Sequence, residues 1–158
     1  MIKLILQVNP RAGFEDVVYD KINEVFDNPI MSRLAQLSDF YTVLKMTEEN
    51  VKKVSAIQDF EGILDLQLIP VDVVVQPTEK MPAGQELFIV LVKAERGMHE
   101  QTLKNLAASD KYNIVYAGYF FENRADIILE VTTDGTLREL TDAIRRTEGV
   151  EDTILYTT

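Results

Sequence analysis

The chain has 158 residues, 46% of them hydrophobic and 27% charged, with a formal net charge of -10 at pH 7. That balance is typical of a folded globular protein of one domain or two small ones. No apolar run reaches the roughly 18 to 20 residues that a membrane-spanning helix needs, and the acidic surplus repels phosphate backbones and anionic lipid, so neither nucleic acid nor a membrane is an expected direct partner.

There is no cysteine, which excludes disulfides, thiolate metal sites and a cysteine nucleophile. Polar Gln7 and Asn9 interrupt the apolar start and no small-residue cleavage site follows, so no secretory signal is read and a cytoplasmic protein is expected.

In chain order, "IKLILQV" alternates Ile2, Leu4, Leu6 and Val8 against Lys3, Ile5 and Gln7, a strand pattern. "FEDVVYDKINEVF" then places Phe14, Val17, Val18, Ile22, Val25 and Phe26 at helical spacing behind an acidic first turn, and Pro29 closes that helix. "IMSRLAQL" is a weak strand. "DFYTVLKM" is a better one, rich in β-branched and aromatic residues. "TEENVKKVSAI" predicts a second helix with Val51, Val54 and Ile57 on one face, Gly62 follows, and "ILDLQLI" alternates Leu64, Leu66 and Leu68 against Asp65 and Gln67. The order is β-α-β-β-α-β.

From Pro70 to Glu86 the chain holds three of its five prolines and is read as a short strand, Val71 to Val75, and a connector. The second half then repeats the first. "LFIVLVK" matches the opening strand, "AERG" ending at Gly97 matches "PRAG" ending at Gly13, and "MHEQTLKNLAA" offers Leu103, Leu106 and Ala107 as a helix face. "YNIVYAGYF" and "ADIILEV" form two strands around the hairpin "FENR". "TDGTLRELTDAI" brings Leu137, Leu140 and Ile144 to one face, and Gly149 precedes "VEDTILYT". Gly62 and Gly149 are offset by 87 positions and Gly13 and Gly97 by 84, a difference that a few inserted residues explain. "EGILDLQL" and "EGVEDTIL" are thus corresponding ends of two units.

These patterns predict an α+β fold of two ferredoxin-like βαββαβ repeats: a first unit over 1–75, a linker over 76–86 and a second unit over 87–158. "LFIVLV" is apolar on both faces, and Ile5, Tyr41, Val43, Ile128 and Ile114 or Val115 add apolar residues to the sheet faces that carry no helices. A face open to water would alternate cleanly, so a cover is expected, with antiparallel sheets packed face to face within the chain or between chains.

With "FIVLVK", "ERG", "NIVYAGYF", "ADIILEV" and "EGVEDTIL" in this order, residues 87–158 resemble the ligand-binding (RAM) domain of the Lrp/AsnC family, and residues 2–70 carry the same outline more faintly. The resemblance implies a dimeric α/β barrel that binds an amino acid or similar small effector between protomers. It also implies an effector module without the helix-turn-helix DNA reader, because the chain opens on a strand. The family places a glycine three residues before the aspartate that opens the third strand. Here Asn123 and Gln36 stand in those places, before Asp126 and Asp39. Asn tolerates a left-handed backbone better than Gln, which favours the second unit as the effector site.

Asp126 with Asn123 and Arg124 has the charges to hold a small zwitterion, although Asn and Asp are also ordinary hairpin residues. Gly118 within "YAGYFF" either opens space for a ligand near Tyr116, Tyr119 or Phe120 or marks a close backbone approach. Gly13 and Gly97, beside Arg11 and Arg96, stand where backbone amides at a helix start favour an anion, or simply permit a turn. His99, the only histidine, is read as a surface residue, since one histidine builds no cluster.

The expectation is a non-enzymatic protein of small-molecule or transcription regulation that binds a small effector through Asp126, Asn123, Arg124, Gly118 and Asp39. No cofactor and no metal are expected, and a homo-oligomer or a regulatory protein is the expected partner. The alternatives are a dimeric α/β barrel enzyme such as a cofactor-free monooxygenase, or a structural interaction module.

Overall fold

The computed structural model describes residues 2–26, 30–34, 40–45, 48–76, 84–122 and 125–157. The chain divides into two compact units, Ile2–Pro70 and Val71–Thr158. It is an α+β protein with antiparallel strand pairing, and among the described residues there are four helices, none long and apolar enough to cross a membrane.

The first unit runs β1 (Ile2–Pro10), α1 (Glu15–Val25), β2 (Ile30–Leu34), β3 (Phe40–Lys45), α2 (Glu48–Ile57) and the first part of β4 (Ile63–Val75). Strand β3 lies antiparallel between β1 and β2, with Leu6 opposite Thr42 and Ser32 opposite Tyr41. Leu4, Leu6 and Val8 pack with Val18, Ile22 and Phe26 of the first helix region and with Val54, Ile57 and Ile63. The buried stripe on α1 runs at intervals of four residues. Val17 lies about 100° from it and is 52% exposed; Val51 of α2 is likewise outside its stripe. The apolar spacing in the sequence puts both on the buried faces.

The second unit runs from the end of β4 through β5 (Glu86–Ala94), α3 (His99–Ala107), β6 (Asn113–Glu122), β7 (Ala125–Thr133), α4 (Leu137–Arg145) and β8 (Val150–Thr157). The strand order β8-β5-β7-β6-β4 puts the first and third strands of the βαββαβ repeat at the centre. Val90, Val92, Leu129, Val131 and Ala117 face Leu103, Leu106, Leu140 and Ile144 of the two helices. The alternate residues Ile89, Leu91, Ile128, Tyr116, Phe120 and Tyr156 point to the other face, and they too are buried. Every residue of β7 is buried, which accounts for its loss of a simple polar alternation.

β4 departs from the expected pair of segments. It is one continuous strand through exposed Pro70, and from Asp72 onward it pairs with β6, with a register shift between Val73 and Val75. Proline's fixed φ suits an extended strand, and the backbone donor it lacks matters only where a neighbour needs it. Around Leu68 the alternation changes phase: Ile69, Val71 and Val73 are buried, whereas Leu64 is 64% exposed.

Both units make the same turn between their first strand and first helix. Phe14 N donates to Arg11 O and Met98 N to Glu95 O, each at 2.9 Å, and Gly13 and Gly97 take positive φ of 86° and 81° at the third turn position. A left-handed residue there is what a type II turn requires. The closing glycines then fix the turns from the other side: Arg11 N donates to Gly62 O and Glu95 N to Gly149 O, each at 2.7 Å. A Cβ on Gly62 would press on Phe14 and Val18, and one on Gly149 would meet Thr102 and Met98, the corresponding residues of the other unit. The repeated glycines are therefore contact points between the helix-to-strand turn and the first helix.

Gly149 combines a φ of 95° with the Thr102 hydroxyl in the Cβ position. Gly149→Ala is expected to cost about 2–3 kcal/mol in urea unfolding, and Thr102→Ala in that background to restore part of it by removing the steric conflict while leaving the backbone strain. Tyr112 supplies a pH test. Its hydroxyl donates to Leu106 O at 2.7 Å, and burial, opposed by a weaker hydrogen-bond contribution from Ser109, raises its pKa from 10.0 to about 12. The folded state holds this proton after the unfolded state has released it. Its contribution to stability is therefore intact below pH 10 and declines as pH rises towards 12, a decline that Tyr112→Phe should reduce.

Candidate functional site

Asp126 lies near the start of β7, next to Ile127, which pairs with Val92 of β5. Its Oδ2 accepts from the backbone N–H of Ala94 at 3.0 Å, and its Oδ1 accepts from Lys93 Nζ at 3.1 Å. His99 Nε2 lies 3.4 Å from Oδ2. The carboxylate is 8% exposed, against 38% for the lysine and 34% for the histidine. A buried acid thus anchors two partly exposed nitrogen groups at the mouth of the turn that begins α3.

His99, read from the sequence as a surface residue, is one partner of this acid. Nothing in its spacing from Asp126 signals the contact, because β5, the turn and β7 bring them together only in three dimensions. Lys93 was missed for the same reason. Asn123, Arg124 and Asp39 lie outside the described residues.

Gly118 is buried opposite Val73 in the β6–β4 pairing. The place of a Cβ is occupied by the Asp72 carbonyl and Val71 Cγ1, so this glycine permits close backbone approach and does not open space beneath Tyr116.

A second polar group lies on the face without helices. Glu130 of β7 is directly opposite Tyr116 of β6 and Ile89 of β5, and Ile89 is opposite Tyr156 of β8. Tyr116, Glu130 and Tyr156 are all 0% exposed. Burial first, then the charge and hydrogen bonding of Glu130, push the Tyr116 hydroxyl well above the usual tyrosine range, so it stays protonated. A glutamate alternating with apolar residues carries no sequence sign of full burial.

Two open clefts lie among the described residues. One, of about 440 Å³, is lined by Arg11, Phe14, Asp59, Phe60, Glu61 and Ile63 among others. The other, of about 750 Å³, is lined by the turn at Ser109–Lys111, by Glu139 and Asp142 of α4 and by Arg146 just past its end, among others.

The exposure difference around Asp126 has a measurable consequence. Asp126→Ala leaves the Ala94 donor without its acceptor and should cost about 2–3 kcal/mol in chemical unfolding. Lys93→Ala removes a pair that solvent already weakens and should cost less than about 1 kcal/mol.

No family model and no curated protein sequence matches the chain. Solved structures match it in fold. Sirohaem decarboxylase NirDL, in complex with an iron-uroporphyrin III analogue, aligns with a TM-score of 0.62 at 8% identity, covering 99% of this chain and 71% of its own. A candidate monooxygenase from Fusobacterium nucleatum subsp. nucleatum ATCC 25586 aligns with a TM-score of 0.55 at 8% identity, covering 99% and 90%. A variant of chlorite dismutase from Candidatus Nitrospira defluvii aligns at 0.53 and 11%, also covering 99% and 90%. At these identities the likeness is one of fold alone.

Proposed function

We propose that the protein is a small-molecule-binding regulatory module of the Lrp/AsnC ligand-binding type, formed by duplication of one ferredoxin-like unit. The observation that carries this reading is the pair of nitrogen groups, Lys93 and His99, anchored at the start of α3. Asp126 holds Lys93 and His99 in place with its own charge almost withdrawn from water, while the lysine ammonium remains partly exposed. An ammonium has three donors, and Asp126 takes one of them. The arrangement suits a small molecule bearing a carboxylate, received by Lys93. Asn123 and Arg124, which precede Asp126 closely in the sequence, belong to this proposed site, and Asp39 is its sequence counterpart in the first unit. Gly118 supports it indirectly by seating β4 against β6. Binding regulates by favouring one assembly state over another.

The test is a thermal-shift screen of the full chain against amino acids and other small carboxylates at millimolar concentration. An effector at about ten times its dissociation constant adds about 1.4 kcal/mol, a rise of roughly 3 to 6 °C in the unfolding midpoint. Lys93→Ala should abolish that rise, and light scattering should show a change of assembly with the same ligand dependence. No stabilisation by any compound, or an equal rise in Lys93→Ala, would overturn the reading. A Soret shift on titration with hemin that His99→Ala abolishes would replace it with porphyrin handling.

A further inference from the structure

The 440 Å³ cleft in the first unit has a chemistry that the corresponding positions of the second unit lack. It opens between the turn before α1 and the turn that joins α2 to β4, and its size suits a small organic ligand. Phe14 stands at its edge 37% exposed, and Phe60 forms another part of the wall. Large aromatic surface left in water at the mouth of a concave site gains by covering. Lys21 Nζ lies 5.8 Å from the Phe60 ring centroid, a cation–π contact that helps hold that ring in position.

The polar groups are of both signs. Arg11 Nε donates to the carbonyl of Glu61 at 3.0 Å, which fixes the guanidinium plane at the cleft and leaves its terminal nitrogens to meet a carboxylate. Two acidic residues, Asp59 and Glu61, belong to the same lining. A simple anion would be repelled by these acids, and a simple cation by Arg11. A molecule carrying both charges satisfies all three.

The corresponding positions of the second unit, aligned through the two turns and the two closing glycines, hold Glu95 for Arg11, Met98 for Phe14, Arg146 for Asp59 and Thr147 for Phe60. The shared fold keeps the turn geometry, but only the first unit carries the aromatic walls and this charge pair. The fold itself therefore does not require these residues.

We infer that the cleft of the first unit is a binding site for a small zwitterion with a flat or branched apolar body, the carboxylate on Arg11, the ammonium on Asp59 and Glu61, and the body between Phe14 and Phe60. It is separate from the Asp126 group of the other unit and stands whether or not that group binds an effector.

The test is an NMR titration of the full isotope-labelled chain with L-phenylalanine, 3-phenylpropionate and phenethylamine, which share a ring and differ in charge. L-Phenylalanine should shift the amides of Arg11–Phe14 and Gln58–Ile63 saturably, with the two single-charge probes binding roughly tenfold more weakly or worse. Arg11→Ala should weaken L-phenylalanine about tenfold, with Asp59→Asn as a second, surface-only variant and Lys93→Ala as the control that leaves these shifts unchanged. Absence of saturable shifts at these amides up to solubility, equal binding by phenethylamine, or unchanged binding in both Arg11→Ala and Asp59→Asn would overturn the proposal.

Discussion

The structure depends on one backbone hydrogen bond made twice. In each unit the residue just after the first strand donates to the glycine carbonyl that precedes the last strand, Arg11 to Gly62 and Glu95 to Gly149. The bond ties together parts of the chain about fifty residues apart, and it closes the βαββαβ unit where two turns meet. Its geometry demands that nothing project from the glycine, because the first helix packs directly over it. Once that closure is made, the hydrophobic stripes of both helices have a defined sheet face to cover.

What surrounds the closure differs between units, and the chemistry follows that difference. In the first, aromatic side chains and an arginine stand around the two turns and leave a cleft. In the second, Thr102 and Met98 fill against Gly149, while the polar interest moves to Asp126, one strand over, with Lys93 and His99. A common backbone thus offers two electrostatic settings. The buried row from Tyr116 through Glu130 to Tyr156 adds a third, in which polar atoms lie within an otherwise apolar sheet face and specify its packing more narrowly than aliphatic side chains alone.

Much of the element order was legible because helices and strands impose different periods on apolar residues, and because Gly13, Gly97 and Gly149 mark positive φ. The extent of β4 was not: Pro70 signals a break when only local donors are considered, and the partner that makes the strand continuous, β6, lies more than forty residues away. Val17 and Val51 show a second limit, since a helical window admits residues at the edge of a stripe that the neighbouring sheet does not reach. Asp126 was legible as a candidate from its hairpin, but its partners were not. Register between β5 and β7 decides them, and register is a property of two segments together.

Gly118 has a consequence beyond local fit. By admitting the backbone of β4, it gives β6 a neighbour on the side away from β7. Any side chain there would push that neighbour off and leave the hydrogen-bonding groups of β6 facing outward along a strand that also carries Tyr116, Tyr119 and Phe120. Such an edge recruits strands from other molecules. The missing methyl group thus keeps β4 seated on β6 and that edge paired.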